Sequence, residues 1–320
     1  MRQRAKLASR PNETLMEVLM LSVVLIWGAN YTIAKYGMRE LSPTVFTFLR
    51  FLAVTPVLFG WLKLTEKQVS VKVEHLPRLV MVGFFGIACY QTLFVAAVKY
   101  TSAANSSLLV ALSPLFTSLI AGLLGRERLT PRTLVGSLLA FSGVAVIMAG
   151  GTGRLGFSSQ TAQGDLIALL AGFLWGLYPI LAQPLLKHYS AVRVTAYAAL
   201  FGAMALFLYT FPELGAVPWR SLAPATWLSV LYAIGPVTAW GLIVWNKGVE
   251  RLGASRAIIN MYLVPAVSMV IAAILIRERI YPVQLLGFVV IVGGIVIVKS
   301  GFALGTRQKG RGAPARKKVR

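Results

Sequence analysis

Gly125-Arg126-Glu127-Arg128-Leu129-Thr130-Pro131-Arg132-Thr133-Leu134-Val135-Gly136 returns as Ile276-Arg277-Glu278-Arg279-Ile280-Tyr281-Pro282-Val283-Gln284-Leu285-Leu286-Gly287, 151 positions later. The same offset carries Pro114 onto Pro265, each in the apolar run that precedes its copy. Nearer the front of each half, Trp27-Gly28 recurs as Trp175-Gly176, 148 positions on, so three residues separate the two registers. Self-similarity over half of a strongly apolar chain points to two half-folds built around a central site.

Apolar residues make up 57% of the chain and charged residues 13%, against roughly 25% charged in a soluble domain. So few charges cannot cover so much apolar surface in water. The apolar residues come in runs that suit the roughly 20 residues needed to cross a bilayer. Ten spans are expected: 16–38, 43–62, 77–98, 101–124, 132–150, 165–186, 191–211, 224–247, 254–276 and 282–299. The expected fold is all-α and integral to the membrane, with ten transmembrane helices as two inverted five-helix repeats. These are 16–150 and 164–299, joined by a linker at 151–163 and flanked by basic cytoplasmic tails at 1–15 and 300–320. The inversion follows from the odd number of spans in each half, which turns the second copy over. The single cysteine, Cys89, leaves no disulfide framework.

The net charge of +22 sits mostly outside the spans. Arg2, Arg4, Lys6 and Arg10 precede the first, and Arg307, Lys309, Arg311, Arg316, Lys317, Lys318 and Arg320 follow the last. Placing both termini in the cytoplasm gathers the basic clusters at 63–78, 126–132, 187–193 and 247–256 there too, as the positive-inside rule requires. The tails therefore read as topology signals that touch anionic lipid, not as a nucleic-acid surface. The expected location is a bacterial inner (cell) membrane.

Trp27, Tyr31 and Lys35 recur at intervals of four, with Asn30 beside them; Trp175, Pro179 and Gln183, with Tyr178, repeat the stripe in the sixth span. Facing lipid, Asn30 would be a costly burial, so the stripe is expected to line an interior cavity, although packing alone would also turn it inward. Tyr90, Gln91 and Phe94 on span three, Asn105 on span four, Trp240 on span eight and Asn260 on span nine complete the candidate substrate-binding set. Flat apolar faces with scattered hydrogen-bonding groups suit a modest amphipathic solute. Arg50, in the middle of span two, costs roughly 2.5–3.5 kcal/mol on insertion scales. It is expected to be braced by protein groups or to meet the solute. With Lys35, Pro114 and Pro265 it forms the gating or structural set, the prolines breaking matched helices.

Small residues on spans five and ten (Gly136, Ala140 and Gly143; Gly287, Gly293 and Gly294) allow close helix packing. Contact within one chain is the simpler account, a homo-oligomer the alternative. Glu17 and Asp165 are expected to cap first helical turns, Glu17 with Thr14 at capping-box spacing. Glu127 and Glu278 are expected to pair with the arginines of their own turns. No carboxylate is expected at midmembrane. His75 and His188 fall in connections, so no catalytic residue, metal site or cofactor is expected.

Trp27-Gly28-Ala29-Asn30-Tyr31, with Lys35, Pro43 and Arg50, resembles the first-repeat pattern of EamA-type transporters of the drug/metabolite transporter superfamily. Pro114…Gly125-Arg126-Glu127 and Pro265…Ile276-Arg277-Glu278 are similar to that family's helix-four and helix-nine endings. The resemblance covers nearly the whole chain outside its tails. It implies ten helices in two inverted halves, export of amino acids or related metabolites, and a cavity formed by helices one, three, four, six, eight and nine. The second half departs from the first, with Tyr178 in place of Asn30, Gln183 of Lys35 and Ala198 of Arg50. A nucleotide-sugar or phosphorylated-sugar exchanger is the rival within transport, and a non-transporting structural membrane protein the rival outside it.

Overall fold

The structure is a computed structural model, and it describes residues 2–66, 68–124, 131–150, 159–252, 261 and 263–311. The described residues are helical and contain no strand. The helices are α1 (Arg2–Gly37), α2 (Pro43–Thr65), α3 (Leu76–Gly83), α4 (Tyr90–Tyr100), α5 (Ala103–Val110), α6 (Ser113–Leu123) and α7 (Pro131–Gly150). They continue as α8 (Ser159–Leu186), α9 (Ala191–Leu214), α10 (Pro224–Tyr232), α11 (Gly241–Leu252), α12 (Val264–Leu275) and α13 (Pro282–Arg311). Two π-helical segments, Phe84–Cys89 and Ala233–Trp240, join α3 to α4 and α10 to α11. Among the described residues seven helical stretches are long and apolar enough to cross a membrane, and Val264–Leu275 and Pro282–Gly294 are shorter apolar helices.

The helix starts follow from their caps. Ser42, Ser102 and Ser190 are extended, and each hydroxyl accepts the N–H three residues on, satisfying a donor that the first turn leaves free. Pro114 and Pro265 occupy the second positions of α6 and α12, where a missing N–H costs nothing. The expected fourth span is thus two helices meeting at Ala111–Leu112, and the prolines begin new helices rather than kink continuous ones. Large apolar side chains such as Leu64, Leu138 and Leu208 stand almost fully exposed on the outside. In water they would be a liability; against lipid tails they are solvated.

α2 packs on α9, α7 on α13, α4 on α8, and α1 on α10, α11 and α12, while α8 also packs on α5 and α6. Small residues set the closest approaches. A Cβ on Gly143 would strike the Gly287 carbonyl, and one on Gly294 would strike Gly136 and Ala140. Gly28 lies against Val267 of α12, and its counterpart Gly176 against the Ser113 carbonyl and Phe116 of α6.

The connections gather at two ends of the bundle. At one, Glu66 pairs with Arg193 at 2.6 Å, His75 bonds the Tyr189 hydroxyl at 2.8 Å, and the His75 and His188 rings stack 4.8 Å apart. At the other, Glu213 accepts from Ser42 and Thr44, Glu40 accepts from Ala223 N and Thr226, and Lys35 meets Glu278. α1 therefore ends where α8 begins.

The carboxylates depart from expectation. α1 runs without a break from Arg2, so Glu17 is an exposed interior residue and caps nothing. α8 begins at Ser159, which puts Asp165 beyond the first turn, buried against Thr101 and Asn105. Glu278 does not pair with its neighbouring arginines. It accepts from Ala103 N at 3.3 Å and Ala104 N at 3.1 Å, capping α5, and binds Lys35 Nζ at 3.4 Å. Arg277, at φ 52°, makes the reversal that brings it there, and Glu278 N donates back to Ala272 O. Glu127 lies outside the described residues.

Candidate functional site

The cavity between the helices is built first by its rings. α1 supplies Trp27, Asn30 and Tyr31; α4 supplies Tyr90, Gln91 and Phe94; α8 supplies Trp175. Arg50 enters from α2, Ser107 and Val110 from α5, Ala111 and Ser113 from the break before α6, and Val237, Met261 and Val264 close the wall. The cavity volume is about 40 Å³, which is room for water in this conformation.

Trp175 is ringed by aromatics. Tyr90 stacks on it at 4.8 Å and Tyr178 at 5.2 Å, while Trp27 meets it edge-on at 5.4 Å. Tyr31 and Phe94 form a second edge-to-face pair at 4.9 Å. Trp175 is thereby 3% exposed, and Trp27, Tyr31, Tyr90 and Phe94 line the cavity with it.

The π segments make room for this cluster. Each opens the i→i+4 ladder and frees carbonyls. Trp27 Nε1 donates to Val237 O at 3.0 Å, and the indole sits so close to Gly241 that no Cβ would fit. In the matching segment Gly86 lies under the Tyr178 ring in the same way. Tyr178 itself lies behind the wall, its hydroxyl accepting from Asn246 at 3.0 Å, and Asn246 donates onward to Thr195 at 2.7 Å.

Arg50 is 2% exposed. Its Nε donates to Thr238 Oγ1 and its guanidinium to Gln91 Oε1 at 3.1 Å. Among the described residues no carboxylate lies within ion-pair distance of it. In the same wall Asn30 Oδ1 and Ser113 Oγ are buried acceptors without a partner. The site thus offers one uncompensated cation, unpaired acceptors and aromatic faces. No group of three or more His, Cys, Asp or Glu able to hold a metal ion occurs among the described residues.

Of the residues expected from sequence, Trp27, Asn30, Tyr31, Tyr90, Gln91, Phe94 and Trp175 line this cavity, with Arg50. Trp240 does not. It is 42% exposed on the outer surface, where Nε1 donates to Ser22 at 3.0 Å. Trp240 is the last residue of the π segment Ala233–Trp240, whose extra residue per turn rotates the side chains that follow relative to a regular α-helix. Asn105 is buried at the end of the bundle between Asp165 and Gln284. Lys35 holds Glu278 there, while Pro114 and Pro265 start α6 and α12 beside the cavity. Asn260 lies outside the described residues. Ser113 escaped the sequence reading; the signal for it was its position immediately before Pro114, where a helix restarts.

A family model described as the EamA-like transporter family matches the chain twice, over residues 14–149 and 162–300. An uncharacterized transporter of Archaeoglobus fulgidus is 29% identical over 88% of this chain and 96% of its own. A probable terminal-alkyne amino-acid exporter of Streptantibioticus cattleyicolor is 30% identical over 71% of this chain and 74% of its own. A probable amino-acid metabolite efflux pump of Salmonella typhimurium is 27% identical over 89% and 94%. A crystal structure 22% identical in sequence, covering 89% of this chain and 98% of its own, superposes with a TM-score of 0.64, a likeness of fold alone.

Proposed function

Because the chain belongs to the EamA-like transporter family, we propose that it exports amino acids or closely related metabolites across the cell membrane, by alternating access around the cavity at Trp27, Arg50 and Trp175. The family moves solutes and is not a family of enzymes, and the chain is a multi-pass membrane protein. The finer reading is ten helices in two inverted halves, with both termini in the cytoplasm. Three observations support the inversion, and the basic tails support the cytoplasmic termini. The helix pairings exchange with one another when the halves are swapped. α1 ends where α8 begins. The two π segments take up equivalent places.

The observation that carries the solute assignment is Arg50, a buried guanidinium on the cavity wall with no carboxylate of its own among the described residues. Such a cation favours a ligand that brings the anion. Asn30 Oδ1 and Ser113 Oγ, both unpaired, favour one that also brings N–H donors. A carboxylate and an ammonium on one small molecule with an apolar side chain meet both demands. The names of the Streptantibioticus and Salmonella relatives agree with this class. A phosphorylated sugar would call for several cavity cations, and the described wall holds one.

Counterflow in proteoliposomes tests the assignment, with labelled L-phenylalanine as probe and phenethylamine and 3-phenylpropionate as competitors. The zwitterion is expected to exchange, and each one-pole analogue to compete at least about tenfold more weakly, the cost of one unmatched group at about 1.4 kcal/mol. Equal competition by phenethylamine would remove Arg50 from recognition. For orientation, Gly125→Cys and Tyr281→Cys in a Cys89→Ala background are expected to react with an impermeant thiol reagent from opposite sides of the membrane. Labelling from the same side would end the inverted reading.

A further inference from the structure

Asp165 is the buried carboxylate that solute recognition leaves unused. Gly164, just before it, lies so near the backbone of Tyr100 and Thr101 that a Cβ would collide. This contact carries the Asp165 carboxylate into the junction between α4 and α5. There Thr101 Oγ1 donates to Oδ1 at 2.6 Å, and Asn105 Nδ2 donates at 3.3 and 3.4 Å. Asp165 is 1% exposed, and among the described residues no basic group lies within ion-pair distance of it.

The titratable and charged groups around the junction are Lys99 and Tyr100 on α4, Lys35 on α1, and Arg277, Glu278, Arg279 and Tyr281 between α12 and α13, none of which pairs with Asp165; α5 and α6 carry none. Further along α8, the charges of α3, α9 and α11 (Arg78, Arg193, Glu213, Lys247, Glu250 and Arg251) make no pair with Asp165 either. Lys35 Nζ stops at the Thr101 carbonyl, 3.4 Å away, on its way to Glu278.

The direction of the hydrogen bonds selects the ligand. Tyr281 N–H can only donate, so Gln284 turns Oε1 toward it at 3.0 Å. Gln284 Nε2 then donates to Asn105 Oδ1 at 2.6 Å, which leaves Asn105 Nδ2 aimed at Asp165. A metal ion would need oxygen lone pairs from these neighbours. An N–H pointed at the carboxyl offers a metal no lone pair, whereas a proton needs only a carboxylate oxygen. The Thr101 hydroxyl donates to the carboxylate, and by turning about its C–O bond it accepts from the acid, so both forms keep their hydrogen bonds. Only the charge changes. Ionised Asp165 places a negative charge where no cation pairs with it, and the proton removes that charge.

We propose that Asp165 is a proton-binding site whose occupancy holds the Thr101–Ala104 end of the bundle closed. A carboxylate buried without a cation must take up a proton or return to water, and ionisable groups inside membrane proteins commonly serve such steps. Opening the junction hydrates the ionised form, whereas closure keeps the neutral one. Low pH therefore favours the closed end and high pH the open end.

The test uses the full chain in lipid nanodiscs without a transported solute, so it stands apart from the amino-acid reading. Infrared spectra across a pH series are expected to contain a protonated-carboxyl band that is missing from Asp165→Asn. A second arm places Ala103→Cys, fully buried at the junction, in a Cys89→Ala background and measures its rate of maleimide labelling. The rate is expected to rise with pH by about 5- to 150-fold, after correction for the reagent's own pH dependence, and to stay low at every pH when Asp165→Asn is added. Thr101→Val, which keeps the carboxyl and removes the rotor, is expected to move the midpoint. An unchanged pH profile in Asp165→Asn, or spectra with no band assignable to Asp165, would overturn the proposal. If Asp165→Asn does not insert, an unmoved midpoint in Thr101→Val overturns it instead.

Discussion

Replacing Arg50 by glutamine keeps a polar, though shorter, side chain and removes the charge. Two opposed effects follow, and their sizes separate them. Thr238 Oγ1 and Gln91 Oε1 lose a charged donor, at about 1–3 kcal/mol for each acceptor left bare, but the cost of burying an unpaired cation disappears as well. Folding stability is therefore expected to change little, because the terms cancel in part. Recognition has no such compensation. Losing the charged partner of a desolvated carboxylate costs about 2–5 kcal/mol, which is a rise of about 30-fold to a few thousandfold in the half-saturating concentration. Counterflow of L-phenylalanine at graded concentrations measures it, and the melting temperature of the purified protein controls for folding. Phenethylamine, which lacks the carboxylate, is expected to lose nothing in the variant. Arg50→Lys is expected to recover only part of the affinity, since the planar fork that spans Thr238 and Gln91 is lost. A well-folded Arg50→Gln protein with half-saturation within about twofold of the parent would refute the assignment of the charge to the solute.

Trp27→Ala should weaken half-saturation by about 1–3 kcal/mol, the value of a buried aromatic contact, while Trp240→Ala should leave it unchanged because that ring faces outward; the same counterflow curves decide both. Gly241→Val is expected to push the Trp27 indole off the Val237 carbonyl and to cost about 1–3 kcal/mol in stability, seen as a lower melting temperature with altered tryptophan emission. The Glu40 carboxyl, in the connection after α1, is held below the ordinary carboxylate range by the Thr226 hydroxyl first and the Ala223 N–H second. Its contribution to stability is complete above the unfolded-state pKa and is lost as pH falls through the lowered folded one. Melting curves across acid pH should thus show a loss in the parent that Glu40→Gln lacks; identical profiles would remove that bond from the account.

Much of the cavity lining is legible in the sequence because its signals are local. Trp27, Asn30 and Tyr31 recur at helical spacing on a span where a polar amide facing lipid would be penalised, and all three line the cavity. Arg50 announced itself by the cost of its charge at that depth. The errors were equally physical. Trp240 was chosen as an aromatic residue on an expected cavity helix; it ends the Ala233–Trp240 π segment and stands exposed, away from the cavity lining. Asn105 was assigned to the cavity because it is polar on an apolar helix; its partners, Asp165 and Gln284, are 60 and 179 positions away in the chain.

The amino-acid sequence alone determined that this chain is helical, lives in a membrane and is built from a duplicated half, because composition, run length and repetition are properties of a string and need no partner. It also determined which polar groups required an explanation, since burial in a bilayer is costly whatever the neighbours are. Which groups answer one another was decided only in three dimensions. Glu278 passes over Arg277 and Arg279 to cap α5 and hold Lys35, Trp175 stacks with Tyr90 from another helix, and Asp165 is sealed in with donors and no cation. Hydrogen bonds and ring contacts act over a few ångströms. A sequence states who is near along the chain, and folding decides who is near in space.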